Sequence, residues 1–263
     1  MAAPVTAGVG QGVILHGVDF SGADSGGAAK IRAVTRDLGA PREAVVSLGR
    51  MDRRGLVRAV LASRDDGRAH LWRVDAPMSV PAEIAREFGA AGDWMSVARW
   101  MQGLGSPRLW RTAVRGLTRR EPRRACDDAL ATPMSPLNLR VFKQTWTFVC
   151  EVLLPLAEAG VRIEPSVAGA PGNLVAACEG CPASVLHALG WPRRGYKGGG
   201  DPPARVRAEI VHQLRAGGMT IPDALAAEAV GDEQGDLLDA LVLVTPPFHA
   251  AVPEAGQLEG WVF

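Results

Sequence analysis

The chain reads as an α/β protein. Three strands, a helix and a fourth strand come first, then a helical insertion, then a further strand and more helices. Three observations carry that reading. Up to Asp75, short β-branched apolar runs alternate with turn residues, as strands do. Between residue 82 and about 170 the apolar spacing changes to three and four, the period of helices. Acids also stand at three strand ends, Asp19, Asp75 and Glu179, each just ahead of a turn.

At 263 residues the chain can bury one large core. We therefore read a single domain over 1–263, with the helical insertion at about 82–170 inside it. Apolar residues make up 47% and the net charge is +1, an ordinary globular balance that favours small or short ligands over long duplexes. No run of eighteen apolar residues exists, so no transmembrane helix and no membrane partner are expected. Met1 to Gln11 has neither a basic n-region nor an apolar h-region, so no signal peptide is expected. The four cysteines then read as reduced thiols in a cytoplasm. Cys178-Glu-Gly-Cys181 has the spacing of half a zinc site, but no second Cys/His pair accompanies it.

In chain order, Val13, Ile14, Leu15 and Val18 form the first strand, which Asp19 ends before a Ser-Gly turn. Asp19 either caps that turn or belongs to a group of acids around a divalent metal. Ala28 to Asp37 is a half-exposed strand, Gly39-Ala-Pro41 a turn, and Glu43 to Gly49 a third strand. Asp52 caps a helix to Ala62, and His70 to Val74 is a strand ending in Asp75-Ala-Pro77. Ile84 to Met101 is an amphipathic helix broken at Gly89 and Gly92. Arg108, Arg111, Arg115 and Arg119 recur at helical steps, either as a solvated face or as a phosphate-contacting edge. Leu139 to Ala157 is a long helix after the Thr132–Asn138 loop. Leu174 to Cys178 is a strand followed by Glu179, and Ala183 to Leu189 a short helix. Gly190 to Gly200 is a Gly-rich basic loop without the spacing of a phosphate-binding P-loop. Arg205 to Leu214 is a helix. In Gly235 to Val244, Asp236 and Asp239 share the first turn of a buried helix, where they repel unless a cation sits between them; Asp236 alternatively caps it.

This order of elements resembles the ribonuclease-H-like fold, a mixed sheet whose first strand and last helix each supply an acid. More closely, Val18-Asp19-Phe-Ser-Gly-Ala23, Val74-Asp75-Ala-Pro-Met-Ser-Val-Pro81, Glu179-Gly-Cys-Pro-Ala183, Arg194-Gly-Tyr-Lys-Gly198 and Asp236-Leu-Leu-Asp-Ala240 resemble motifs of the bacterial domain-of-unknown-function 429 family, predicted to be nuclease-like. The match is weaker at Gly180-Cys181, where a bulkier aliphatic and an aromatic are expected. The resemblance implies a metal-dependent nuclease or phosphodiesterase. Asp19, Asp75, Glu179 and Asp239, with Asp236 as alternate, would hold Mg2+ or Mn2+ in a two-metal hydrolysis of a nucleic acid or nucleotide. Lys197 would meet the developing phosphorane charge. Arg111, Arg115, Arg119, Arg193 and Arg194 would hold the phosphate backbone. Two other readings stay open: a non-catalytic nucleotide- or nucleic-acid-binding scaffold of the same fold, and an ATP-dependent phosphotransferase. The second is disfavoured because it needs two such halves. On the nuclease reading the four acids should converge at one sheet edge, within roughly 8 Å of a common point, and Asp19 and Asp239 at opposite ends of the core would end it.

Overall fold

The structure is a computed structural model that describes residues 12–23, 29–40, 44–246 and 252–263. The readings placed on Met1–Gln11, on Ala28 and Glu43 as strand starts, and on Pro41 in its turn lie outside the described residues.

Six strands form one mixed sheet in the order β3-β2-β1-β4-β6-β5. The strands are β1 (Val13–Asp19), β2 (Ile31–Asp37), β3 (Val46–Met51), β4 (Ala69–Asp75), β5 (Arg162–Ile163) and β6 (Val175–Gly180). β1, β2 and β3 run antiparallel in sequence, while β4 lies parallel to β1, and β6 parallel to β4. The alternation of side chains along each strand divides the core in two. On one face Val18, Trp72, Val74 and Ala177 pack against α1 (Arg53–Ala62), α3 (Trp94–Gly103), α4 (Pro107–Leu117) and the long helix described below. On the other, Leu15, Leu71, Ala176 and Cys178 meet α8 (Pro182–Ala188), α9 (Asp201–Ala216), α10 (Asp223–Gly231) and α11 (Asp236–Val242).

The middle of the chain is helical, with boundaries that differ from the sequence reading. The break expected at Gly89 and Gly92 separates two helices, α2 (Ala82–Glu87) and α3: Gly89 takes a left-handed φ of 66° and Asp93 then caps α3, accepting from the Ser96 amide at 2.7 Å. α4 stops at Leu117, so Arg119 does not share its face. The long helix begins at Phe142 rather than Leu139. It runs as α6 (Phe142–Phe148), a π-helical turn (Val149–Leu153) and α7 (Leu154–Glu158). The helical stretch ends there, not at 170: Arg162–Ile163 pair with β6 as an edge strand. Three short helices had no sequence signal we recognised: α5 (Ala125–Ala129), α10 and α12 (Ala255–Glu259).

Among the described residues, no helix is long and apolar enough to cross a membrane. All four cysteines are free and buried. Burial pushes the Cys178 and Cys181 thiols up to about 12.

Candidate metal centre

β1 and β4 are paired in register with Asp19 level with Asp75, so both carboxylates leave the same face of the sheet at its C-terminal edge. That face is the one α11 covers. The helix comes unusually close because β1 has a glycine beneath it: a Cβ on Gly17 would lie 2.0 Å from the Ala240 carbonyl oxygen. Ala240 follows Asp239, so the contact that seats the helix also delivers the third acid. Asp19, Asp75 and Asp239 each offer a carboxylate oxygen, and the three lie within 4.8 Å of one another. Among the described residues this is the only group of three or more acidic, histidine or cysteine side chains close enough to share one ion.

Glu179 does not join them, and the reason is strand parity. In the β4–β6 register Gly180 stands level with Asp75, while Glu179 pairs with Val74. One residue of offset sends its side chain to the opposite face. There Arg124 grips both carboxylate oxygens, at 2.6 Å each, and the Met78 amide donates to Oε2 at 2.9 Å. Arg124 is completely buried and also binds Asp127, so Glu179 serves a buried ion-pair network rather than the acidic trio.

Asp236 lies in the first turn of α11, partly buried. It does not cap the helix: Gly235, with φ 76°, occupies the cap position and Asp232 accepts from the Leu237 amide at 2.9 Å. Burial, then the neighbouring Asp232, raises the Asp236 pKa. At the first strand end the Ser21 hydroxyl takes the Ala23 amide of the turn, at 3.4 Å.

Asp239 is the best supported acid. Tyr196 donates its hydroxyl to Oδ1 at 2.8 Å, and the Lys197 ammonium lies 2.7 Å from Oδ2. The loop carrying both is no slack connector. Gly195, Gly198 and Gly200 take positive φ, and the buried Arg207 donates to the carbonyls of Tyr196, Gly198 and Val230. On the other side Gln144 of α6 donates through Nε2 to the Phe20 carbonyl at 2.9 Å and to the Asp75 carbonyl, tying the two acid-bearing strand ends together. Sequence reasoning passed over Gln144 and Arg207 because their contacts are to main chain far away. Tyr196 stood out as the only tyrosine, with no sign of its partner.

The charges follow from this crowding. Burial first, then Asp239 and Asp75, holds the Asp19 carboxyl well above the usual carboxylate range. Burial and then Asp239 push Asp75 up to about 8. Asp239 is raised by burial, against the lowering effect of Lys197 and Tyr196. For Lys197, burial opposes the charge but Asp239 outweighs it, and its pKa is raised.

The trio opens into a cleft of about 1370 Å³ whose wall carries cations, among them Lys30, Arg50, Arg140, Arg193 and Arg194. Arg111, Arg115 and Arg119 do not line it. Arg111 sits over the Phe142 ring at 5.1 Å, and Arg115 pairs with Glu121 at 2.6 Å and donates to the Arg119 carbonyl. Compared with protein-family models, with curated proteins and with solved structures, the chain matches none.

Proposed function

We propose that this chain is a metal-dependent phosphodiesterase of ribonuclease-H-like type, hydrolysing a nucleic-acid or nucleotide phosphodiester at Asp19, Asp75 and Asp239. The observation that carries the reading is the approach of three carboxylates from β1, β4 and α11 to within 4.8 Å. Three antiparallel strands followed by two strands parallel to the first support the fold assignment.

The residues fit a hard divalent cation. Mg2+ and Mn2+ take carboxylate oxygens, and burial, then neighbouring acids with Asp239 foremost, raises the pKa values of Asp19 and Asp75. Asp19, Asp75 and Asp239 would hold the ion, which would supply Lewis-acid activation of the phosphoryl group and of the attacking water. The chain's own residues do the rest. Gln144 and Tyr196 orient the acids, and the cationic wall holds phosphates without reading bases. Lys197 supplies positive charge beside the reacting phosphorus. Glu179 contributes indirectly, by anchoring Arg124 and the backbone at Met78.

The scaffold reading keeps one specific support: both Asp239 oxygens already have partners within the protein. A calorimetric titration with Mg2+ and Mn2+ separates the two. Wild type is expected to bind and Asp19→Asn to lose detectable binding, together with hydrolysis of a phosphodiester substrate. Equal heats from the two proteins would leave the scaffold.

A further inference from the structure

Of the three acids, Asp239 is the one with a cation already on it. The Lys197 ammonium reaches Oδ2 from the cleft; its side chain is 52% exposed, against 2% for Asp239. The backbone under it is held fast. Arg207 binds the carbonyls on either side of Lys197, and the Gly198 amide donates to the Glu233 carbonyl at 2.7 Å. The moving part is therefore the four-carbon stem, which passes beside the Tyr196 ring with the ammonium 5.7 Å from its centroid. An ammonium is a compact point charge on a flexible stem, and it competes for the same carboxylate lone pairs that a divalent cation requires. It also acts on Asp19 and Asp75, lowering what burial and repulsion raise.

We infer that Lys197 is a displaceable occupant of the metal position, which a divalent cation on Asp19, Asp75 and Asp239 sends out into the cleft to bind phosphate. The inference rests on the metal reading of the site. Its consequence is an order of loading. Leaving Asp239 frees the Lys197 charge and all three of its donors for a phosphate, so metal binding strengthens the phosphate site and, by linkage, phosphate tightens the metal. The tyrosine has the complementary task. By holding Oδ1 it keeps the Asp239 carboxylate in place when Oδ2 changes partner.

The test uses the full chain with Mg2+ and inorganic phosphate as probes. Only three lysines occur, Lys30, Lys143 and Lys197, so the Lys197 Nζ resonance can be resolved by 15N NMR and assigned by its loss in Lys197→Met. Saturating Mg2+ should move that resonance toward the position of a solvated lysine. In calorimetry, Lys197→Met should bind Mg2+ roughly fivefold more tightly, the worth of one partly exposed ion pair. Phosphate should bind wild type more tightly with Mg2+ present, and the variant should lose that difference. If Mg2+ binds while the resonance stays put and phosphate affinity is unchanged, the displacement is overturned and the metal reading survives. If no Mg2+ binds to wild type, the metal reading falls first and this inference with it.

Discussion

The parallel pair β1–β4 buries titratable side chains at both ends, and the two ends treat them in opposite ways. Toward the strand starts, His16 stacks on Trp72, with ring centroids 3.8 Å apart, and meets His70 Nδ1 through Nε2 at 2.8 Å. His70 in turn contacts Asp66 at 3.0 Å. With His70 donating to Asp66, a neutral His16 donates through Nε2 to His70, and its Nδ1 stays buried without a partner. Burial, then His70, pulls the His16 pKa down to about 3, so the ring stays uncharged. At the strand ends, Asp19 and Asp75 face a third acid, and burial with mutual repulsion pushes their pKa values up. Both ends are buried and both are perturbed. The acidic end opens into a cleft and, among the described residues, has charges that an added cation would satisfy. A perturbed pKa alone does not distinguish a site from a core. Whether the perturbing groups satisfy one another does.

The largest expected effect tests what brings the acidic end together. Gly17→Ala puts a Cβ against the Ala240 carbonyl, which is backbone and cannot swing aside. We expect a loss of roughly 3 kcal/mol in denaturant unfolding and weakened Mn2+ binding, while the His16–His70 end stays intact. Unchanged stability would mean that α11 is not seated by this contact.

Next comes the pH dependence of the acidic end. A carboxyl whose folded pKa is raised stabilises the fold below its unfolded pKa, near 3.8, and loses that contribution as pH rises through about 8. Metal-free Asp75→Asn should therefore be more stable than wild type at alkaline pH, by roughly 1–2 kcal/mol after allowance for solvent screening. The gain should vanish in acid. A destabilised variant at both extremes would make Asp75 a structural group.

The histidine end has the reverse sign. A folded pKa depressed from 6.5 to about 3 gives stability that is present above pH 6.5 and lost as pH falls toward 3. His16→Phe keeps a ring on Trp72 and removes the titration. Its acid unfolding limb should be flatter by roughly 1 kcal/mol, measured as Tm against pH, and its Mn2+ affinity should match wild type. A change in metal binding would show that the two ends are coupled.

The smallest effect concerns the rim. Charge reversal at Arg193 and Arg194 should weaken polynucleotide binding and flatten its salt dependence, the log–log slope falling by about one for each phosphate left without its arginine. The same change at Arg111 and Arg115, outside the cleft, should leave both nearly unchanged. The opposite ranking would return binding to the α4 face.

Much of this arrangement was legible. β1, β4 and α1 lie almost where apolar runs and the Asp52 cap put them, because strand and cap signals are local. The acids at the ends of β1 and β4 and in the first turn of α11 were equally plain. Glu179 lines the same cleft but stands outside the trio, and the sequence held no register to show it: its position one residue off the Asp75 level is a property of the β4–β6 pairing, not of the motif. The arginine series misled for a related reason. Spacing implied one face, but the helix ended at Leu117 and Arg115 found Glu121.

Chain chemistry alone therefore decided that strands would end on acids, that a buried helix would open on Asp236 and Asp239, and that a flexible loop would carry Tyr196 and Lys197. Local period and turn residues are enough for that. Tertiary structure decided which acids meet. Strand parity sorted Asp75 from Glu179, close approach over Gly17 brought in Asp239, and Arg207 fixed the loop so that Lys197 lands on it. Those outcomes depend on hydrogen-bond register and on packing between residues far apart in the chain, and no local pattern of residues carries that information.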